Sequence, residues 1–222
     1  MADSIGLEYE LSKDETSYIV SGIGTCTDAD IVIPSEYNGK PVTSISWTAF
    51  SFCKSLNSVV IPSSVIIIGM NEFRGCENLT SITIPSSVGI IGDSAFEGCS
   101  SLTGLTISSG VRKIRSAAFW KCKSLADISI SNGVTSIGEQ AFYGCSSLTS
   151  ITIPSSVTII AYSAFECCDS LTSVVFEDPN GWYAVRTKWA TSGIDLTLTD
   201  ATQNAAYLKS TYYDYYWYKK TK

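Results

Sequence analysis

Val134-Thr-Ser-Ile137-Gly-Glu-Gln-Ala141-Phe142-Tyr-Gly144-Cys145-Ser-Ser-Leu148-Thr-Ser-Ile151-Thr-Ile153-Pro154, followed by a Ser-Ser link, is one copy of a 23-residue unit that the chain repeats six times. Phenylalanine recurs at Phe50, Phe73, Phe96, Phe119, Phe142 and Phe165. Cysteine keeps the same period at Cys53, Cys76, Cys99, Cys122, Cys145 and Cys168, and leucine keeps it from Leu56 to Leu171. A fixed period in this range, with no insertion, predicts a solenoid. In the quoted copy Val134, Ile137, Ala141, Phe142, Cys145, Leu148, Ile151 and Ile153 are small or apolar. One coil has nothing to bury them against, and stacked coils bury them in a continuous core.

The β-branched run Leu148 to Ile153 reads as a strand. Stacked on Leu125 to Ile130 and Leu171 to Phe176, it predicts a parallel sheet with strands about 4.8 Å apart. Pro62, Pro85 and Pro154 follow the strand and end its pairing, because proline has no N–H to donate. Glu139 to Gly144 predicts one or two helical turns on the opposite face.

The spacing, with Ile153-Pro-Ser-Ser-Val157 and Ala141-Phe-x-Gly-Cys-x-Ser-Leu-Thr-Ser150, resembles the leucine-rich repeat superfamily. It is most similar to the BspA-like branch found in bacterial surface proteins and some protists. The resemblance covers residues 31–176. It implies a leucine-rich-repeat solenoid with a parallel β-sheet on one face, short helical turns on the other and caps at both ends. It also implies a cell-surface or secreted binding protein. Departures are local: Glu72 replaces an alanine, Ser108 and Ser131 a proline, Arg115 and Ala161 a glycine.

The flanks predict covers for the open core ends. Residues 1–30 are expected to form an N-terminal cap. There Leu7, Tyr9 and Leu11 alternate with polar residues, Ser12 to Thr16 turns, and Tyr18 and Val20 resume the alternation, as in a β-hairpin. Asp30 to Ile33 reads as the strand of a first, irregular coil, and Asn38-Gly39 as a turn. Residues 177–222 are expected to form an aromatic-rich C-terminal cap. It opens on the turn Glu177 to Gly181, followed by Trp182, Tyr183 and Trp189. A short strand is expected at Leu196 to Leu198. Asp200 is placed to cap a helix over residues 201–209, and Tyr212 to Tyr218 reads as a β-like alternation that buries one set of rings. The tail reads as a cover for the last coil or, more sharply, as an aromatic platform for carbohydrate.

The chain of 222 residues carries a net charge of −6. That balance favours partners other than nucleic acid, whose phosphates need a basic surface. No apolar run approaches the length of a membrane span. Met1 to Ser4 lacks the basic and apolar regions of a signal peptide, which is expected either of a cytosolic chain or of one whose leader has been removed.

Without histidine, the chain has no His-based triad, His-ligated metal or His acid–base catalysis. It also lacks a phosphate loop, a dinucleotide fingerprint and Cys-x-x-Cys. The eight cysteines do not read as a zinc site, whose ligands pair within a few residues, and the six periodic ones read as reduced core thiols. No cofactor or metal is expected.

Two candidate surfaces emerge, the basic coil first and the outward strand face as its alternative. One is the basic coil: Arg112, Lys113, Arg115, Lys121 and Lys123 beside Trp120, which follows a core phenylalanine and should point outward. Arginine and tryptophan are enriched at binding hot spots. The other is the outward strand face, with Thr80, Thr83, Thr103, Thr106, Thr149 and Thr152 around Asp127, the only charge in three strand columns. The function expected is a non-enzymatic binding or adhesion module for a protein or glycan. The alternatives are a structural spacer that displays other domains and a carbohydrate-active enzyme with paired carboxylates.

Overall fold

A computed structural model describes residues 3–188 and 190–220; Trp189 lies outside the described residues. The chain winds into a solenoid whose coils repeat every 23 residues. All eight core positions of the quoted copy are buried. The phenylalanine rings form one continuous stack, with centroids 5.2–5.4 Å apart from Phe50 to Phe165.

The expected parallel strands are present as a first ladder. Its strands stack along one side and are hydrogen-bonded in three groups: Asp30–Val32, Ser58–Val60 and Ser81–Thr83; then Gly104–Ile107 and Asp127–Ile130; then Ser150–Ile153 and Ser173–Phe176. Register follows the repeat, with Ser58 opposite Ser81 and Ser150 opposite Ser173. The first pair sets Asp30 opposite Ser58, and the longer link takes up the difference. That link turns at Asn38 and Gly39, both left-handed (φ 47° and 75°), as a tight hairpin between Glu36–Tyr37 and Lys40–Ile45 requires.

A second parallel ladder was not expected. It is built from two-residue strands: Ile67–Ile68, Ile90–Ile91, Lys113–Ile114, Ser136–Ile137 and Ile159–Ile160. In each, the second residue is buried and the first faces out. Two residues are too few for an alternation to show in the sequence.

The third side corrects the expected helical turns. Gln140 N donates to Tyr162 O, Phe142 N to Ala164 O and Gly144 N to Glu166 O, at 2.8–2.9 Å. Every second N–H thus reaches the next coil instead of closing a helical turn. The intervening ones close short turns within the coil, such as Cys145 N to Phe142 O at 3.2 Å. Gln140 and Gly144 are left-handed (φ 55° and 69°), which a right-handed helix does not accommodate.

Both ends are covered: Ser4 and Asn204 meet the two ends of the first ladder, and a reversed strand meets the far end of the second. Unpaired edges would otherwise invite further strands. The expected hairpin pairs Glu8–Leu11 with Tyr18–Gly22, and the latter runs parallel to Lys40–Ile45. Leu7 is buried and Tyr9 stacks on Tyr37 at 3.9 Å, but Leu11 is exposed at the turn end. Ser4 closes the first ladder: its N–H donates to Val32 O, and its Oγ accepts from Val32 N.

At the other end Tyr216–Lys219 pairs antiparallel with Ile159–Ile160 and with Trp182–Val185, so the second ladder ends in a reversed strand. Asp200 caps the helix as expected, accepting from Gln203 N at 2.7 Å. The helix runs Ala201–Ala206 and continues as a wider-wound turn, Tyr207–Thr211. Buried Asn204 sends its amide to Val174 O and Leu198 O, meeting the last first-ladder strand.

Two tail expectations are corrected. The short strand is Ile194–Asp195 rather than 196–198, because it follows the edge of Trp182–Val185, and the Leu198 carbonyl is taken by Asn204. The strand at the C-terminal end begins only at Tyr216, and Trp217 and Tyr218 are both buried instead of alternating. Tyr218 is covered by its tyrosine neighbours Tyr183 and Tyr216. No described helix is long and apolar enough to cross a membrane.

All eight cysteines are free, and five of the six periodic ones are fully buried. Their thiols do more than pack. Each donates to the phenylalanine carbonyl of the preceding coil, from Cys76 to Phe50 O at 3.0 Å through Cys168 to Phe142 O at 3.1 Å. Burial pushes the Cys76 and Cys168 thiols up to about 12, and those of Cys99, Cys122 and Cys145 well above the ordinary thiol range. Cys53 departs from the set. It opens the ladder, so no earlier phenylalanine carbonyl lies beneath it, and it is half-buried beside Ser55.

In the native protein a maleimide should therefore label Cys53 and Cys167 first. The five buried thiols should react only on denaturation, since the thiolate is the nucleophile. Mass spectrometry of labelled peptides reads this directly, and fast native labelling of the five would contradict the packing.

Candidate functional site

The outward face of the first ladder presents every second residue of each strand. In Asp127–Ile130 the side chains of Asp127 and Ser129 face out while Ile128 faces the core. Thr80, Thr83, Thr103, Thr106, Thr149 and Thr152 are all exposed on this face. Part of their hydrogen-bonding capacity is spent along the ladder, as where Thr80 Oγ1 donates to Asn57 O at 3.1 Å.

Two shallow clefts indent the face, of about 490 Å³ and 480 Å³, and both are lined by Asp127 and Ser129. One extends over Thr83, Gly104 and Thr106, the other over Ser150, Thr152 and Glu177. Gly104 keeps the flank of Asp127 open, since a Cβ there would lie 3.7 Å from the Asp127 Cβ. Among the described residues the Asp127 carboxylate has no hydrogen-bond or ion-pair partner. The equivalent position at the start of the ladder, Asp30, is already satisfied by Asn57 Nδ2 and Ser58 Oγ. Asp127 thus stands as an unpaired acceptor at the junction of two clefts walled by hydroxyls and apolar side chains.

The basic coil is arranged differently. The structure brings Trp120 and Lys121 together, with the Lys121 ammonium 4.0 Å from the Trp120 ring centroid and Tyr143 stacked on the same ring at 6.0 Å. The other four cations spread around the coil. Lys113 faces out from the second ladder, while Arg112 reaches toward Gly133 O. Arg115 is paired with Asp93 at 3.1 Å, and Lys123 lies on the turn that leads back to the first ladder. Trp120 is half-buried, with its ring already engaged by two neighbours.

One site escaped the sequence reading. Glu72 sits in a column otherwise made of Ala49, Ala95, Ala118, Ala141 and Ala164, and it is buried at 1% exposure. Burial holds its carboxyl well above the usual carboxylate range, against a smaller opposing effect of the Gly69 N–H that donates to it. The break in the alanine column was the available signal. Its depth, and the exposed Trp47 nearby, follow only from the coil stacking.

Among known proteins, a family profile described as BspA type leucine rich repeat region matches residues 43–172 in 6 copies. Among solved structures, the T. pallidum leucine rich repeat protein TpLRR is 30% identical, with a TM-score of 0.70; the alignment covers 78% of this chain and 81% of that one. A leucine rich cell surface protein from Faecalibacterium prausnitzii A2-165 is 29% identical with a TM-score of 0.61, over 83% of this chain and 56% of that one. A leucine-rich repeat protein from Eubacterium ventriosum, at 23% identity and a TM-score of 0.62 over 86% of this chain and 59% of that one, shares the fold. No curated protein matches. With the family profile spanning more than half its length and the coil geometry agreeing, the chain belongs to the BspA-type leucine-rich repeat family.

Proposed function

We propose that the chain is a non-enzymatic binding module, displayed at the cell surface or secreted, that recognises a protein or glycan on the outward face of the first ladder. The observation that carries this reading is the unpaired Asp127 carboxylate where the two clefts meet. A hydroxyl-lined surface with one central acceptor suits a ligand rich in donors, such as a glycan or a protein patch bearing amides and cations. The similarity to a protein described as a leucine rich cell surface protein supports surface display. A carbohydrate-active enzyme with paired carboxylates is less well supported. The carboxylate that shares a cleft with Asp127, Glu177, is held by the Ser155 N–H at 2.9 Å.

The test is a glycan array together with a pull-down on host matrix proteins, followed by affinities of variants. Asp127→Ala should weaken a bound ligand by about 10- to 100-fold, the cost of losing a charged hydrogen-bond acceptor. Trp120→Ala and the Lys121→Glu, Lys123→Glu double variant should leave affinity nearly unchanged. The reverse pattern, with binding that weakens steeply with salt, would move the site to the basic coil. A folded rod that binds nothing would favour the spacer.

A further inference from the structure

A third cleft, of about 430 Å³, lies on another face, where the second ladder begins. Ile19, Ile45 and Ile67 form its apolar wall, Ser44 and Ser46 add hydroxyls, and Trp47, Gly69 and Glu72 complete it. Three features distinguish it. Trp47 is 71% exposed although it is a large apolar ring. Gly69 leaves a gap between ring and carboxyl: a Cβ there would sit 2.8 Å from Glu72 Oε1 and 3.7 Å from Trp47 Cδ1. Glu72 Oε2 is buried without a hydrogen-bond partner. A buried polar atom without a partner is costly, and every other coil places an alanine here, so the coil itself does not require the carboxyl.

We propose that this cleft binds a primary alkylammonium group, the chemistry shared by a lysine side chain and a free alkyl amine. Burial favours the protonated acid while no cation is bound, so the ammonium binds the ionised Glu72, whose proton goes to solvent, and compensates the buried charge. The gap opens on Oε1, which lies 2.8 Å from where a Gly69 Cβ would sit, and a carboxylate oxygen has lone pairs for more than one donor. Trp47 supplies a ring face for the cation, and tryptophan is the best of the aromatic residues in that role. Ser44 and Ser46 hydroxyls accept further N–H donors, and the three isoleucines cover the alkyl stem. A neutral sugar fits less well, because its hydroxyls would meet that isoleucine wall. The site is on a different face from the Asp127 clefts, and it stands or falls independently of them.

The experiment is a titration of the whole chain followed through the indole N–H signal of Trp47 by NMR, assigned with Trp47→Phe. The probes are n-butylammonium chloride, Nα-acetyl-lysine amide and the neutral isostere n-butanol. Both ammonium probes should shift the signal saturably, and n-butanol should not. The nearly isosteric Glu72→Gln should weaken ammonium binding about tenfold or more, since a charge-assisted hydrogen bond is lost. Gly69→Ala, which fills the gap, should weaken it as well. Tighter binding of the lysine amide assigns the natural source to a polypeptide, and tighter binding of butylammonium to a free amine. Absence of a shift with either ammonium, an equal response to n-butanol, or unchanged affinity in Glu72→Gln would overturn the assignment.

Discussion

Phe142→Ala is expected to lower stability by about 3–5 kcal/mol, the range for truncating a fully buried phenylalanine. Phe142 has 0% exposure and sits between Phe119 and Phe165, with ring centroids 5.3 Å and 5.2 Å away. The change leaves a void in the middle of the stack, and two coil interfaces lose contact at once. In a solenoid, stability is close to a sum of such nearest-neighbour terms. For a domain of this size the loss corresponds to a Tm about 6–20 °C lower. Thermal unfolding measures it, with Thr149→Ala as an exposed control expected within about 0.5 kcal/mol of the parent. A Tm unchanged by Phe142→Ala would show that the ring stack does not hold the core.

The second large effect is expected at the C-terminal cap. Trp217 is buried, stacks parallel to Phe176 at 6.2 Å and donates its indole N–H to Tyr212 O at 3.1 Å. Its backbone pairs with Ile160, the last strand of the second ladder. Trp217→Ala should cost about 3–5 kcal/mol. Here the damage should be graded along the rod, because only the last coil loses its cover. Amide hydrogen exchange should speed up first at Ile159–Ile160 and Ser173–Phe176, while Ile67–Ile68 and Ile90–Ile91 keep most of their protection. Uniform loss along the rod would contradict a nearest-neighbour solenoid, and no change at the last coil would contradict the cap.

The two effects share a cause that can be read from the period. Once residues 23 apart are known to stack, Phe142 must meet Phe119 and Phe165, and an uncovered end needs a cap. The first-ladder strands, the N-terminal hairpin, the Asn38-Gly39 turn and the Asp200 cap follow in the same way from alternation, proline stops and turn chemistry. These are short-range signals, and the repetition made them strong.

What the sequence alone determined is therefore the coil, its inward residues and the family. The tertiary structure decided everything that depends on which backbone group in one coil meets which group in the next. The second ladder is too short to show a pattern, and the third side exchanges helical hydrogen bonds for inter-coil ones only because a neighbour is present. The cysteine thiols find the preceding phenylalanine carbonyls for the same reason, and Cys53 lacks one because it is first. Side chains adjacent in sequence, from Arg112 to Lys123, are carried to different sides of the rod by the turn of the coil. Residues scattered along it, Thr83, Gly104, Asp127 and Thr152, are brought onto one face. Glu72 is a single substitution in sequence, yet stacking alone makes it a buried carboxyl facing Trp47 from the neighbouring coil.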